Sequence, residues 1–156
     1  MGRSRRLKFS AYHEAGHAVL ANHFGVLKDV CLEPEAVAHS ATTLDDGSPL
    51  DDDIACCIYY GGVLAQAKYE RRSLAGLWLT AGHDDLEKIN KVVDYRVRTL
   101  GWDANDLHRT WREAARKILR SRWPAVRLVA SALLEEGRLD AQRVRELVAS
   151  TGSCGR

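Results

Sequence analysis

The chain has 156 residues, of which 46% are hydrophobic and 28% are charged, and its formal net charge is +2. This length suits a single domain that can bury a core without disulfide bonds, and the composition is typical of a soluble globular protein. The near-neutral charge gives no argument for nucleic-acid binding. No run approaches the ~20 apolar residues of a transmembrane helix, so we expect no membrane span.

The predicted elements begin with a helix over residues 7–24, where apolar residues recur at helical spacing and Gly25 follows as a C-cap. Alternating residues predict a strand over 26–33. A second short strand is expected over 36–44, before the turn-forming sequence DDGSP at 45–49. The two strands together predict a small sheet.

A long helix is predicted over residues 50–71, and it contains the pair Gly61-Gly62. Two glycines in a helix interior cost about 2 kcal/mol relative to alanine. The pair therefore indicates either the close approach of another helix or a break into two helices. Residues 72–81 are expected to be a connection.

The C-terminal half is predicted to be helical throughout. Residues 84–100 present a regular apolar face, and the helical segment 104–136 contains Pro124, which should split or bend it. Asp140 is expected to cap a last helix over 141–150.

These elements predict one domain over residues 1–150 and a polar tail at 151–156. The fold class is mostly α (α+β), with a small β-sheet or hairpin. No G-x-x-x-x-G-K-[S/T] segment occurs, so no nucleotide site is expected.

The four cysteines are Cys31, Cys56, Cys57 and Cys154, and none of them forms a CxxC pair. Polar residues interrupt any apolar stretch near the N-terminus that could serve as a signal peptide. We therefore expect reduced, mostly buried thiols and a cytoplasmic protein.

The segment AYHEAGHAVL contains the motif H-E-x-x-H as His13, Glu14 and His17. The motif should arise by chance only about 0.01 times in a chain of this composition. Residues four apart on a helix project at nearly the same angle, so both imidazoles can reach one zinc ion. Glu14 projects about 100° away, where it can accept a proton from a metal-activated water. The alternative is a helix with two structural histidines.

A zinc hydrolase needs a third protein ligand and one open position. The segment AGHDDLEKI at 81–89 offers the best candidate. Asp85 directly precedes the core-facing Leu86 and should lie at the edge of the buried face, whereas Asp84 points outward. His83 is the main rival, because imidazole is also a good zinc ligand.

The segments YHEAGHAVL, YGG and TAGHDDLEKI resemble, in order and spacing, the peptidase domain of FtsH-type ATP-dependent zinc metalloproteases. Residues 114–147 are similar to the last helices of that domain. The resemblance implies a helical zincin-like peptidase domain with Zn²⁺ as its cofactor. It implies zinc ligands at His13, His17 and Asp85, and a general base at Glu14.

The resemblance also implies a substrate-aligning edge strand near residues 37–43. The substrate-binding residues predicted on it are Val37, His39, Ala41 and Thr43. His39 could help to stabilise an oxyanion, although a surface histidine explains it equally well.

The chain departs from the family where its arginine and acidic pair would follow the two glycines, because residues 61–67 read GGVLAQA. No ATPase module and no membrane anchor are visible. The expected function is therefore an ATP-independent zinc metallopeptidase that acts on peptides or unfolded proteins.

Two other functions stay open at this point. One is a non-catalytic zinc-binding protein with a regulatory or partner-binding role, which the intact Glu14 argues against. The other is a helical interaction module that uses the basic face at 109–122, although no motif there supports binding of nucleic acid. A homo-oligomer or a separate partner protein is compatible with each of them.

Overall fold

The computed structural model describes residues 3–32, 41–44, 50–80 and 82–152. Its elements, in chain order, are α1 Arg3–His23, β1 Leu27–Cys31, β2 Ala41–Leu44, α2 Asp52–Glu70, α3 Leu74–Trp78, α4 His83–Leu100, α5 Ala104–Ser121, α6 Trp123–Glu136, β3 Arg138–Asp140 and α7 Ala141–Gly152. The mostly α, α+β fold class expected from the sequence is confirmed. Within the described ranges, no helix is both long and apolar enough to cross a membrane.

Helices α1 and α2 lie at the centre of the fold and cross where both carry small residues. A Cβ added to Gly16 would collide with the carbonyl oxygen of Gly61 and would lie 2.6 Å from the Cβ of Ala65. The glycine pair of α2 thus lies inside one continuous helix. The expected close helix approach is confirmed, and the alternative break into two helices is wrong. The packing that the glycines permit offsets their cost in helix propensity.

The sheet has the strand order β2-β1-β3, and both pairings are antiparallel. β1 and β2 fall within the predicted strands at 26–33 and 36–44. The remainder of the second prediction, 36–40, and the predicted turn at 45–49 lie outside the described residues. β2 pairs with β1 alone among the described strands, so it lies at an edge of the sheet.

The third strand, β3, is an element that the sequence did not predict. Three residues are too few for an alternating pattern to be recognised. The strand forms because Leu139 pairs with Val30 of β1, and both side chains are fully buried.

The expected connection at 72–81 is likewise wrong in part, because it contains the short helix α3. Leu77 on this helix is buried and packs with Val63 and Ala67 of α2. A five-residue helix spans little more than one turn, which is too short to show a periodic pattern in sequence.

The helix ends in the C-terminal half agree with the sequence. The segment that contains Pro124 is divided into α5 and α6, and the proline occupies the first turn of α6, where its missing N–H is tolerated. Gly137 ends α6 with φ 73°. The Asp140 carboxylate accepts a hydrogen bond from the Arg143 N–H at 2.7 Å and so caps α7.

Cys56 and Cys57 are free and buried thiols, as expected, and Cys31 is half-buried. Cys154 lies outside the described residues. The expected cytoplasmic location remains a prediction.

We expect Gly16→Ala to destabilise the fold by about 1–3 kcal/mol, because the new Cβ must displace the backbone of α2. This loss should exceed the roughly 1 kcal/mol that alanine gains in helix propensity. Urea denaturation of the variant and the wild type measures the difference. Gly76→Ala is the control, since its Cβ would meet only side-chain atoms at ordinary contact distances, the Arg72 guanidinium at 3.4 Å and the Ser73 hydroxyl at 3.7 Å. Equal stability of the Gly16 variant and the wild type would contradict the inferred tight crossing.

Candidate metal centre

His13, His17 and Asp85 meet at one buried point. α1 contributes the two histidines one turn apart, and the first turn of α4 contributes the aspartate. The Nε2 atoms of the two histidines are 3.0 Å apart. The Oδ2 atom of Asp85 lies 3.0 Å from Nε2 of His13 and 3.3 Å from Nε2 of His17. The three predicted ligands are thus brought together, and each is less than 9% exposed.

The size of this triangle suits a small tetrahedral cation. Zinc bonds of about 2.0–2.2 Å place neighbouring ligand atoms of a tetrahedral site about 3.3–3.6 Å apart. The three ligand atoms are separated by 3.0, 3.0 and 3.3 Å. Movements of a few tenths of an ångström would therefore accommodate the ion.

Hydrogen bonds on the far side of both rings turn their Nε2 lone pairs toward the same point. Nδ1 of His17 donates to the carbonyl oxygen of Ile58 at 2.7 Å, and Nδ1 of His13 donates to Oε1 of Gln66 at 3.0 Å. A neutral imidazole that donates from Nδ1 keeps its lone pair on Nε2. The Oδ2 atom of Asp85 is buried and accepts no hydrogen bond from any described residue. Three electron-pair donors therefore converge, and a cation would satisfy all of them.

The electrostatics of the cluster also favour a positive charge. Burial acts to lower the pKa of His17, but the nearby Asp85 carboxylate outweighs it and raises that pKa to about 9. Burial acts to raise the pKa of Asp85, yet the two imidazoles hold it well below its usual range. A site that stabilises a proton in this way also attracts a metal cation, and the two compete for the same nitrogen atoms.

Glu14 lies beside the cluster, as the motif predicts. It is 5% exposed, and it offers a carboxylate oxygen within 4.8 Å of a ring nitrogen of each histidine. A carboxylate at this place is close enough to exchange a proton with a water molecule held near the three ligands.

Gly62 makes room for the ring of His17. A Cβ at this position would collide with the imidazole and would lie 2.8 Å from its Cδ2 atom. Ile58, whose carbonyl oxygen orients the same ring, lies one turn earlier on α2. The glycine pair therefore serves two purposes, since Gly61 admits α1 and Gly62 admits the metal-facing imidazole.

Gln66 is a site residue that the sequence reasoning missed. It is 5% exposed, and its amide nitrogen donates to Glu70, which orients Oε1 toward His13. The Glu70 side chain is only 4% exposed and pairs with Arg72 at 3.5 Å. The signal that could have revealed Gln66 is a polar residue within the otherwise apolar sequence VLAQA.

The remaining predicted residues lie elsewhere. The His83 side chain is 63% exposed and pairs with Asp84 at 3.6 Å, so this rival ligand does not join the buried cluster. Ala41 and Thr43 lie on the edge strand β2. Val37 and His39 lie outside the described residues.

No protein-family model matches this chain, and a comparison with curated proteins finds no match to its sequence.

We expect Gln66→Leu to weaken zinc binding by about 10–100-fold, because His13 loses the acceptor that orients its ring. Competition with a chromogenic chelator measures the affinity. The matched control is Gln142→Leu, since Gln142 makes the same hydrogen bond to a glutamate four residues later, at 3.0 Å to Glu146, but on the exposed surface of α7. If both variants bind zinc as tightly as the wild type, Gln66 does not support the site.

Proposed function

We propose that the chain is a zinc metallopeptidase that hydrolyses peptides or unfolded proteins without ATP. The observation that carries this proposal is the buried triangle of His13, His17 and Asp85 with Glu14 beside it. A structural zinc site needs ligands, whereas a hydrolase also needs a general base near an open fourth position.

The two imidazoles and the carboxylate would hold the zinc ion. When bound, zinc supplies a Lewis acid that polarises the scissile carbonyl and makes a nearby water more acidic. Glu14 would accept a proton from the attacking water and then deliver it to the leaving amine nitrogen. One carboxylate can thus serve both proton transfers, and it returns to its starting state after each cleavage.

The hydrogen-bond partners of the two histidines would hold the ligands in the orientation that this chemistry needs. The Ile58 carbonyl and the Gln66 amide hold the two rings in the tautomer that a metal requires. Ligands held in this way lose little conformational freedom when the ion binds, which favours affinity.

The position of β2 at an edge of the sheet favours a substrate that binds in an extended conformation. β1 covers one side of β2, and no other described strand pairs with its second side. A peptide could add there as a further strand through main-chain hydrogen bonds. Such binding accepts only chains that are already extended, which favours peptides and unfolded proteins as substrates.

The resemblance to the FtsH-type peptidase domain supports the same activity. The departure at GGVLAQA removes none of the three ligands, because they all lie outside this segment. Gln66 within the segment instead supports a ligand through its hydrogen bond to His13. Substrates would reach the site by diffusion, and no nucleotide motif is visible in the sequence.

A non-catalytic zinc-binding protein is the second candidate, and one observation favours it. The three ligands tie α1 to the start of α4, so an ion held there would also cross-link the fold. The buried Glu14 carboxylate favours the catalytic candidate, because binding of a structural ion by the three ligands does not require it.

We expect the protein to bind about one zinc ion per chain, and Asp85→Ala to abolish this binding. His83→Ala and Asp84→Ala are the matched controls, because they remove neighbouring polar side chains of the same helical turn that lie on its exposed side. Elemental analysis of the four purified proteins decides the question. Full zinc content in Asp85→Ala together with its loss in His83→Ala would show that the ligand assignment is wrong.

We expect Glu14→Gln to retain zinc but to lose peptide hydrolysis by about 10²–10⁴-fold, because an amide cannot accept the proton. Cleavage of casein, a flexible and largely unfolded protein, measures the activity. Addition of ATP should not change the wild-type rate. Undiminished cleavage by Glu14→Gln would remove this residue from the mechanism. Zinc-loaded wild type that cleaves neither casein nor a library of unfolded peptides would favour the non-catalytic candidate.

A further inference from the structure

Four solvent-exposed basic residues line a second cavity, which lies on a different face of α2 from Gln66. The cavity has a volume of about 440 Å³, and its lining includes Lys68, Arg72, Arg116 and Arg120. These cations come from α2, from the link after it and from α5. Residues distant in sequence are thus gathered around one space of the size that small ligands occupy.

The charge inside this cavity is positive, because its described lining contains no acidic residue. Arg116 pairs with Glu113 at 3.0 Å and Arg72 pairs with Glu70 at 3.5 Å, and both glutamates lie outside the lining. Arg120 has no ion-pair partner among the described residues. The four basic residues of the lining would supply opposite charge to an anion bound in the cavity.

The rest of the lining is apolar. Leu64 and Leu119 are buried at 9% and 5% exposure, and Trp123 forms a half-buried wall. The amino group of Lys68 lies over the Trp123 ring, 4.1 Å from its centroid, so the aromatic ring also orders one of the cations.

We propose that this cavity binds a small organic anion that carries an apolar group, such as an aryl or short alkyl phosphate, sulfate or carboxylate. The charged end would contact the arginine side chains through charge-assisted hydrogen bonds, and the apolar end would pack on Leu64, Leu119 and Trp123. The proposal uses no residue of the metal centre and does not depend on the peptidase function.

The basic face at 109–122 explains why the sequence alone did not reveal this site. A run of arginines on a helix is usually a solvated surface. Here Arg116 and Arg120 lie one turn apart on α5 and border the cavity, whereas Arg109 on the same helix does not line it.

Calorimetric titration with phenyl phosphate tests the proposal on the zinc-loaded full chain. We expect saturable binding that is tighter than the binding of inorganic phosphate and that weakens as NaCl is added. The variant R116Q/R120Q should bind phenyl phosphate at least about tenfold more weakly, since hydrogen bonds to charged groups are lost. The matched control R109Q/K117Q removes two charges from the same helix that do not line the cavity, and it should bind like the wild type. Arg109 also mirrors Arg116, because each pairs with an acidic residue three positions earlier.

Three results would overturn the proposal. The first is no binding of phenyl phosphate at millimolar concentration. The second is an equal loss of affinity in both double variants, which would indicate a general charge effect. The third is binding that survives in R116Q/R120Q but disappears when zinc is chelated, which would place the anion at the metal centre. Melting curves of both double variants confirm beforehand that they are folded.

Discussion

The close crossing of α1 and α2 is the constraint on which the metal centre depends. With Gly16 against Gly61, the two helix backbones approach more closely than side chains larger than glycine allow there. The same approach places the His17 ring over Gly62, within reach of the Ile58 carbonyl, and places His13 within reach of Gln66. A wider separation of the helices would break the hydrogen bonds of His17 to Ile58 and of His13 to Gln66. The two imidazoles would then lose their fixed orientation.

The cluster of His13, His17 and Asp85 is arranged so that it attracts a positive charge. Two imidazole lone pairs and a carboxylate oxygen face one another in the interior, where unpaired polar atoms are expensive to bury. Without a metal, the cluster can lower this cost by binding a proton, which is why the pKa of His17 is raised to about 9. That bound proton stabilises the folded state at pH values below this pKa, and a metal ion would compete with it for the same atoms.

Helix α2 contributes residues both to the candidate metal centre and to the basic cavity. One face of this helix holds Gln66 against His13, and a different face presents Lys68 and Leu64 to the basic cavity. Arg72 lines that cavity and also pairs with Glu70, whose carboxylate orients Gln66. A continuous set of polar contacts therefore runs from the basic cavity to His13. Coupling between the sites would require that ligands at either one change the affinity of the other.

The sequence by itself determined most of the helices and the H-E-x-x-H motif, because these are local patterns. It left the glycine pair open between a close helix approach and a break. Helical periodicity, Pro124, Gly137 and the Asp140 cap all act within a few residues of where they stand. The sequence favoured Asp85 over His83 as the third ligand, because Asp85 precedes the predicted core position Leu86. Only the tertiary structure showed how the choice is made, since the packing of α4 buries the aspartate and exposes the histidine. The tertiary structure alone also revealed β3, the hydrogen bond of Gln66 to His13 and the basic cavity. Each of these arises from contacts between elements far apart in the chain, and such contacts leave no local pattern to be read.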